Sequence, residues 1–309
     1  MASWQAHCIS FLIRHTFKPR LSRSRDAQEA RAVMSGGAFP TPRGVRITQV
    51  TLGGISCECV EAEAGSPAGI LFFLHGGGYF ACSPQSHRSY TTFFAQRGFK
   101  VIAPAYRLAP ENPFPAGLDD AVAAWRALRT QTGGATPIVI AGDSAGGGLA
   151  LATMFKLRDA GDRLPAAAIL FSPLTDLAGT GNSIVANGKR CAMFYSESLA
   201  RATAFYVPNG DLRNPLASPL YADLHGLPPL FIHVGADETL LDDSTRFAER
   251  ARAAGVAVEF KIWPAVPHDW HLFRKFVPEG GQSLEQAAEF LVKTIGATGA
   301  AAKEVATAR

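Results

Sequence analysis

Residues 137–150 of the 309-residue chain read PIVIAGDSAGGGLA, and this stretch decides the fold. The apolar run at 137–141 predicts a buried strand, because continuous segments rich in valine and isoleucine are typical of strands covered on both faces. The residues from 147 to 158 have helical spacing. Between them, Ser144 is flanked by Gly142 and Gly146, and this pattern predicts a sharp turn that exposes the serine hydroxyl above the sheet. The stretch therefore predicts a strand, a turn and a helix with a nucleophilic serine at the turn.

Strands and helices alternate on both sides of this unit. Strands are predicted at 45–50, 55–61, 69–74, 100–103, 137–141, 166–171, 230–234 and 256–263, and helices at 89–97, 117–130, 147–158, 242–254 and 284–295. The first two strands read as an antiparallel pair. The pattern predicts an α/β fold with a central, mostly parallel eight-stranded sheet flanked by helices. Residues 178–215 interrupt the alternation with glycines, prolines and one helix at 196–206, which indicates an insertion.

A glycine-rich loop follows the strand at 69–74, with the sequence His75-Gly76-Gly77-Gly78. Acyl transfer places negative charge on a carbonyl oxygen, and backbone N–H groups aimed at that oxygen stabilise the transition state. Glycines allow the main chain to approach so closely. We therefore predict an oxyanion hole formed by the amides of Gly76, Gly77 and Ala145, with Gly78 shaping the turn.

A serine nucleophile also needs a general base. Of the eight histidines, His268 and His271 follow the last strand, where the chain order serine, acid, histidine requires the base. His268 is preferred because it comes first after the strand, and His271 is the alternative.

The acid that orients the histidine is expected at the end of the preceding strand. Asp237 has this position and is the predicted third member, since a carboxylate there fixes the imidazole tautomer. Its neighbours Glu238, Asp242 and Asp243 compete for the role, although the last two are also suited to opening the following helix.

Composition excludes several classes of protein. Hydrophobic residues make up 47% and charged residues 18%, which indicates a large buried core rather than disorder. The net charge of +4 comes mainly from the N-terminal stretch, without a nucleic-acid-binding module. No apolar run reaches the length of a membrane span. Five cysteines in no disulfide pattern favour a reduced, cytoplasmic protein.

The sequence resembles the hormone-sensitive lipase family, which is bacterial esterase family IV, within the α/β-hydrolase superfamily. The matching segments are HGGG at 75–78, YRLAPENPFPA at 106–116, GDSAGG at 142–147, PLASPL at 215–220, Gly235-Ala236-Asp237 and His268. The resemblance extends over about residues 45–295 and is closest to the branch with GDSAG at the nucleophile. Many relatives have tryptophan where this chain has Leu174.

The resemblance implies a carboxylesterase that cleaves short-chain acyl esters through Ser144, His268 and Asp237, with no cofactor and no metal. It implies a helical cap built from residues 1–44 and 178–215 on a catalytic domain of residues 45–177 and 216–309. The expected substrate-binding residues are Gly78, Phe80, Leu174, Phe194 and Phe205. A homodimer through the edge strand 256–263 is also expected.

Three other functions fit the same pattern of residues. A deacetylase or a small-molecule amidase would use the same triad on another substrate. A ligand-binding receptor of the same fold is the third, but such a receptor can dispense with the catalytic histidine. This sequence has candidates for the serine, the acid and the histidine of a triad, which favours an enzyme.

Overall fold

A single eight-stranded sheet organises the protein. The computed structural model describes residues 2–34, 41–133 and 136–307, so residues 35–40 of the predicted N-terminal segment lie outside it. The strands are β1 (Val45–Leu52), β2 (Ile55–Ala62), β3 (Gly69–Leu74), β4 (Phe99–Pro104), β5 (Ile138–Asp143), β6 (Ala168–Phe171), β7 (Leu230–Gly235) and β8 (Val258–Trp263). Their order is β1-β2-β4-β3-β5-β6-β7-β8. β2 is antiparallel to both β1 and β4, and the other neighbours are parallel, which confirms the predicted fold class.

Helices cover both faces of the sheet. They are α1 (Trp4–Leu12), α2 (Lys18–Arg23), α3 (Ala27–Met34), α4 (Arg88–Gln96), α5 (Ala116–Gln131), α6 (Ala145–Asp159), α7 (Ser183–Ala186), α8 (Ser196–Tyr206), α9 (Leu241–Ala253) and α10 (Pro278–Thr307). Side chains alternate across a strand, so Leu71 and Phe73 of β3 pack with α4 and α10, whereas Phe72 packs with α5 and α6. Phe72 meets Trp125 edge to face at 5.5 Å. This alternation is why β3 reads as a continuous apolar run.

The last helix begins earlier than predicted. α10 starts at Pro278 rather than at 284, and it includes Gly280 and Gly281, which the sequence suggests as helix breakers. A Cβ at Gly280 would lie only 2.8 Å from the carbonyl oxygen of Trp270. The glycine therefore permits close packing of the helix rather than ending it.

The N-terminal helices contact the insertion. A π-helical turn at Ile13–Phe17 joins α1 to α2. The ammonium of Lys18 is buried and donates hydrogen bonds to the carbonyls of Gly188 (2.8 Å) and Cys191 (2.6 Å). Arg201 of α8 donates to the carbonyls of Ser24 and Leu21. We call residues 2–34 and 178–215 together the covering layer.

No helix in the described segments combines the length and the apolar composition that a membrane crossing requires.

Candidate active site

Ser144 lies in the strained turn between β5 and α6. Its backbone has φ 53° and ψ −123°, a conformation that non-glycine residues rarely adopt. The strain is held by hydrogen bonds from the Ser144 N–H to the Phe171 carbonyl (2.8 Å) and from the Leu174 N–H to the Ser144 carbonyl (2.9 Å). A Cβ at Gly142 or at Gly146 would overlap neighbouring backbone atoms. The turn therefore has the geometry that the sequence predicts.

His268 is oriented by a buried carboxylate. Its Nδ1 donates a hydrogen bond to Oε2 of Glu238, and each side chain is 1% exposed. The other oxygen of Glu238 accepts hydrogen bonds from the Ser172 hydroxyl (2.7 Å) and the Gly235 N–H. The edge of the Phe194 ring packs against the imidazole, with ring centroids 5.1 Å apart. These contacts fix the ring with Nε2 pointing away from Glu238.

Asp237 does not orient His268, contrary to the prediction. Its carboxylate forms an ion pair with Arg190 at the surface and is 24% exposed. A hydrogen bond from the Glu238 N–H to the Gly235 carbonyl (3.2 Å) closes a turn after β7. The turn directs the side chain at 238 over the sheet and the side chain at 237 away from it. Glu238, which the sequence leaves open as a competitor, has the position predicted for Asp237.

The other histidine after β8 is engaged elsewhere. His271 is buried, with Nε2 2.8 Å from the Ser283 hydroxyl and Nδ1 3.2 Å from the Tyr90 hydroxyl. Burial, together with the nearby His233 and His268, lowers the pKa of His271 well below its ordinary value. His271 is therefore a neutral core residue, and His268 is the histidine at the site.

A second carboxylate lies beside the free nitrogen of His268. Oδ2 of Asp269 is 3.2 Å from Nε2, without the alignment of a hydrogen bond. Burial alone would lower the pKa of His268, but the negative charges of Asp269 and Glu238 raise it well above its ordinary value. Asp269 directly follows His268 in the sequence, but the sequence analysis did not predict that its carboxylate lies beside the imidazole.

The amide of Gly76 is not available to a substrate, contrary to the prediction. It donates to Oδ1 of Asp143 at 3.0 Å, and Oδ2 of the same carboxylate lies 3.0 Å from Nε2 of His87. Gly77 and Gly78, in contrast, line the cavity that holds Ser144. Asp143 thus fixes the start of the glycine loop. The candidate donors to an oxyanion are then the amides of Gly77, Gly78 and Ala145. The amide of Ala145 is available because the first N–H groups of a helix have no partner within the helix.

Two hollows meet at Ser144. The larger has a volume of about 450 Å³ and also contains His268 and Asp269. The smaller has a volume of about 30 Å³. Both have largely apolar walls. The larger is lined by Ile13, Phe17, Val33, Met34, Met193, Phe194, Leu272 and Phe273, and the smaller by Leu21, Phe80, Leu174, Phe194, Leu199 and Ala202.

Four of the five residues predicted to bind substrate line these hollows. Gly78 and Phe194 border both, whereas Phe80 and Leu174 border the smaller one. Phe205 lines neither and instead packs against Phe80, with ring centroids 5.3 Å apart. The lining residues from the N-terminal helices were not predicted, because an amphipathic helix does not reveal which surface it covers.

Comparison with known proteins identifies the family. A family model for the alpha/beta hydrolase fold matches residues 71–272. A hormone-sensitive lipase from a metagenome library superposes with a TM-score of 0.89 and 39% sequence identity, covering 96% of this chain and 100% of that one. The chain belongs to the hormone-sensitive lipase family of α/β-hydrolases. This membership confirms the resemblance on which the sequence analysis relied.

Other members of the hormone-sensitive lipase family are similar over most of the chain. An acetyl-hydrolase from Streptomyces hygroscopicus is 40% identical over 300 residues, covering 96% of this chain and 99% of its own. An esterase from Acinetobacter venetianus is 38% identical over 82% of this chain and 84% of its own. The structure of EstE5, soaked with p-nitrophenyl butyrate, has a TM-score of 0.90 and 36% identity, covering 96% of this chain and 100% of its own. This hormone-sensitive lipase family member is a carboxylic-ester hydrolase.

Proposed function

We propose that this esterase hydrolyses esters of short carboxylic acids, with acetyl as the preferred acyl group, through a covalent acyl-enzyme. The triad is Ser144, His268 and Glu238. One observation carries the proposal: Nδ1 of His268 is bonded to a buried carboxylate, while the imidazole lines the same cavity as Ser144. A serine nucleophile needs a base that an acid orients, and Nε2 of His268 has no hydrogen-bond partner among the described residues, so it is free to accept a proton.

The reaction proceeds in two acyl transfers. Nε2 of His268 takes the hydroxyl proton of Ser144 as the oxygen attacks the ester carbonyl, and the N–H groups of Gly77, Gly78 and Ala145 stabilise the resulting oxyanion. The imidazolium then gives its proton to the leaving alcohol, and the acyl group remains on the serine. Water repeats the sequence with the acyl-enzyme, which releases the carboxylic acid and restores Ser144. Glu238 stabilises the imidazolium in both steps.

Each of the two hollows is suited to one part of the ester, either the alcohol or the acyl group. His268 must protonate the leaving alcohol, so the alcohol lies in the larger hollow, which contains the imidazole. The acyl group then lies in the smaller hollow, which borders Ser144 and Leu174 but not His268. Its volume of about 30 Å³ is far below the volume of about 450 Å³ of the larger hollow, so we expect it to take a short acyl group such as acetyl.

The names of similar proteins support a small acyl group. The Streptomyces relative is called an acetyl-hydrolase, and EstE5 was soaked with an ester of butyric acid. The sequence also leaves open a deacetylase that acts on one small metabolite. The acetyl group and the alcohol of such a substrate would occupy the same two hollows.

Hydrolysis of p-nitrophenyl acetate, butyrate, hexanoate and palmitate tests the proposal. We expect acetate to give the highest kcat/KM and palmitate the lowest, and Ser144→Ala to lower the rate by a factor on the order of 10⁶. Leu174→Ala enlarges the smaller hollow and is expected to shift the preference towards butyrate. A kcat/KM that is highest for any ester longer than acetate would rule out the acetyl preference, and an active Ser144→Ala variant would rule out the mechanism.

The covering layer fits the predicted cap. Its Lys18 and Arg201 hydrogen bonds join the N-terminal helices to the insertion, and both parts contribute to the wall of the larger hollow. We therefore propose the division predicted from sequence, with residues 1–44 and 178–215 as the cap and the remainder as the catalytic domain. A cytoplasmic location is also proposed, and the five free cysteines support it.

A homodimer through β8 is the proposed assembly. β8 lies at the edge of the sheet and pairs only with β7 among the described strands, and its Ile262 is 43% exposed. An edge strand invites pairing with a second chain. Light scattering is expected to give the mass of two chains for the wild type and of one chain for Ile262→Asp. A monomeric wild type at micromolar concentration would contradict the assembly.

A further inference from the structure

Asp269 stands out in the wall of the larger hollow. Among the described residues that line the hollow, it is the single carboxylate, and neither lysine nor arginine is present. The triad mechanism gives Asp269 no role, because Glu238 already orients His268. A charged group in a largely apolar wall therefore needs its own explanation.

The contacts of Asp269 leave one oxygen unused. The residue is 6% exposed, and among the described residues Oδ1 has no hydrogen-bond partner. The Tyr90 hydroxyl also interacts with this carboxylate, and it lies 3.2 Å from Nδ1 of His271. Oδ2 lies 3.2 Å from Nε2 of His268. Its backbone has φ +52°, a conformation that aspartate and asparagine tolerate better than most residues. A buried carboxylate with an unused oxygen is unfavourable unless a cation or a hydrogen-bond donor reaches it.

In the free protein, the nearest cation available to Asp269 is protonated His268. The imidazole then lies between two carboxylates, Glu238 at Nδ1 and Asp269 at Nε2. This arrangement opposes catalysis, because His268 must be neutral at Nε2 to accept the serine proton. A second cation in the larger hollow would neutralise Asp269 and release the imidazole from it.

We propose that the larger hollow binds the alcohol part of an ester that carries a protonated amine, and that this ammonium group pairs with Asp269. The inference rests on the proposed function, because it assigns the alcohol to this hollow. An N–H of the ammonium donates to Oδ1, which supplies the missing partner. The rings of Phe17, Phe194 and Phe273 line the same hollow, and aromatic faces attract organic cations.

His87, the other histidine among the described residues that line the hollow, is already paired. Nε2 of His87 lies 3.0 Å from Asp143, which is itself a carboxylate. Apart from His268, the described lining residues therefore offer Asp269 no unpaired cation. A neutral alcohol of the same shape would fill the apolar walls but would leave Oδ1 without a donor.

A matched pair of acetate esters isolates the charge. 2-(Dimethylamino)ethyl acetate is protonated at neutral pH, and 3-methylbutyl acetate has the same shape without the charge. We expect the wild type to prefer the amino ester in kcat/KM by a factor on the order of 10 to 100, the range for a hydrogen bond to a charged group. Acid release is followed at fixed pH, with Ser144→Ala as the blank for spontaneous hydrolysis.

Asp269→Asn removes the charge and keeps a residue that tolerates the backbone conformation. The preference is expected to fall to about 1 in this variant, mainly through KM of the amino ester. Asp237→Asn is the matched control, because it removes a carboxylate outside the larger hollow and should keep the preference. Circular dichroism verifies that both variants fold.

Three outcomes separate the two proposals. A wild-type preference that Asp269→Asn abolishes supports the inference. Equal rates for the two esters in the wild type, or a preference that persists in Asp269→Asn, overturn it while the proposed function stands, provided that p-nitrophenyl acetate is cleaved. A folded wild type that cleaves none of the three esters overturns both.

Discussion

The carboxylate of Glu238 accepts the Nδ1 hydrogen bond of His268 and is itself held by the Ser172 hydroxyl and the Gly235 amide. Both of its oxygens are therefore engaged, so the side chain has little freedom to rotate. A histidine bonded to such a fixed acceptor keeps its proton on Nδ1 and presents Nε2 to the cavity.

Replacing this carboxylate tests its part in the triad. Glu238→Gln keeps the size of the side chain but cannot stabilise the imidazolium, so kcat should fall by a factor on the order of 10⁴. Asp237→Asn, one residue away, should retain nearly all activity, because Asp237 contacts Arg190 and not the imidazole. Initial rates with p-nitrophenyl acetate distinguish the two. Equal losses in both variants would contradict the assignment.

The pH dependence of activity reports the charges around His268. Asp269 and Glu238 raise its pKa, and the further titratable groups around these side chains include Asp143, His271, His87 and Tyr90. Because only the neutral imidazole accepts the serine proton, the acid limb of kcat/KM should lie above pH 6.5. Asp269→Asn should move this limb to lower pH, since one negative charge is removed. A limb that is unchanged in the variant would show that Asp269 does not act on the imidazole.

The glycine loop depends on a contact with the residue before the nucleophile. Asp143→Ala releases the Gly76 amide and should lower kcat by a factor on the order of 10², with a smaller change in KM, because misplaced loop amides stabilise the oxyanion poorly. Asp143→Asn keeps an acceptor for Gly76 and should be milder. A loss confined to KM in Asp143→Ala would argue for a role in binding alone.

Asp243 should make stability depend on pH. Burial raises its pKa from 3.8 to about 7, while Oδ2 accepts the N–H groups of Thr175 and Asp176. Its pKa is higher in the folded than in the unfolded state, so the folded state holds its proton longer. The free energy of unfolding should therefore fall as pH rises from about 4 to about 7, by about 4 kcal/mol in total.

Asp243→Asn removes this titration, and urea unfolding at pH 5 and pH 8 measures the result. The stability of the variant relative to the wild type should be greater at pH 8 than at pH 5. The same difference at both values would mean that Asp243 does not titrate in this range.

Features set by local sequence were predictable. The turn at Ser144 depends on small residues at 142 and 146, and β3 depends on an apolar run of strand length, so each is visible in one segment. The choice of Glu238 over Asp237 depends on a backbone hydrogen bond that reverses the chain after β7, and the two acids look equivalent in the sequence.

Contacts between distant segments were beyond sequence reasoning. The Gly76 amide is bonded to a side chain 67 residues away, and nothing in the HGGG motif indicates which of its amides is engaged. Ile13 and Phe17 have the spacing of an amphipathic helix, but that spacing is the same whether the apolar side covers a core or a substrate cavity.

Lys18 gives the covering layer an evolutionary constraint. The residues of the proposed triad lie in loops of the sheet, whereas much of the wall of the larger hollow comes from residues 2–34 and 178–215. The preference for the alcohol proposed to bind there can therefore diverge without altering the chemistry. However, the two segments share the bonds from the Lys18 ammonium to the carbonyls of Gly188 and Cys191. In a chimera with the N-terminal helices of one ancestor and the insertion of another, the ammonium or the two carbonyls would lack their hydrogen-bond partners. We therefore expect the two segments to be inherited together.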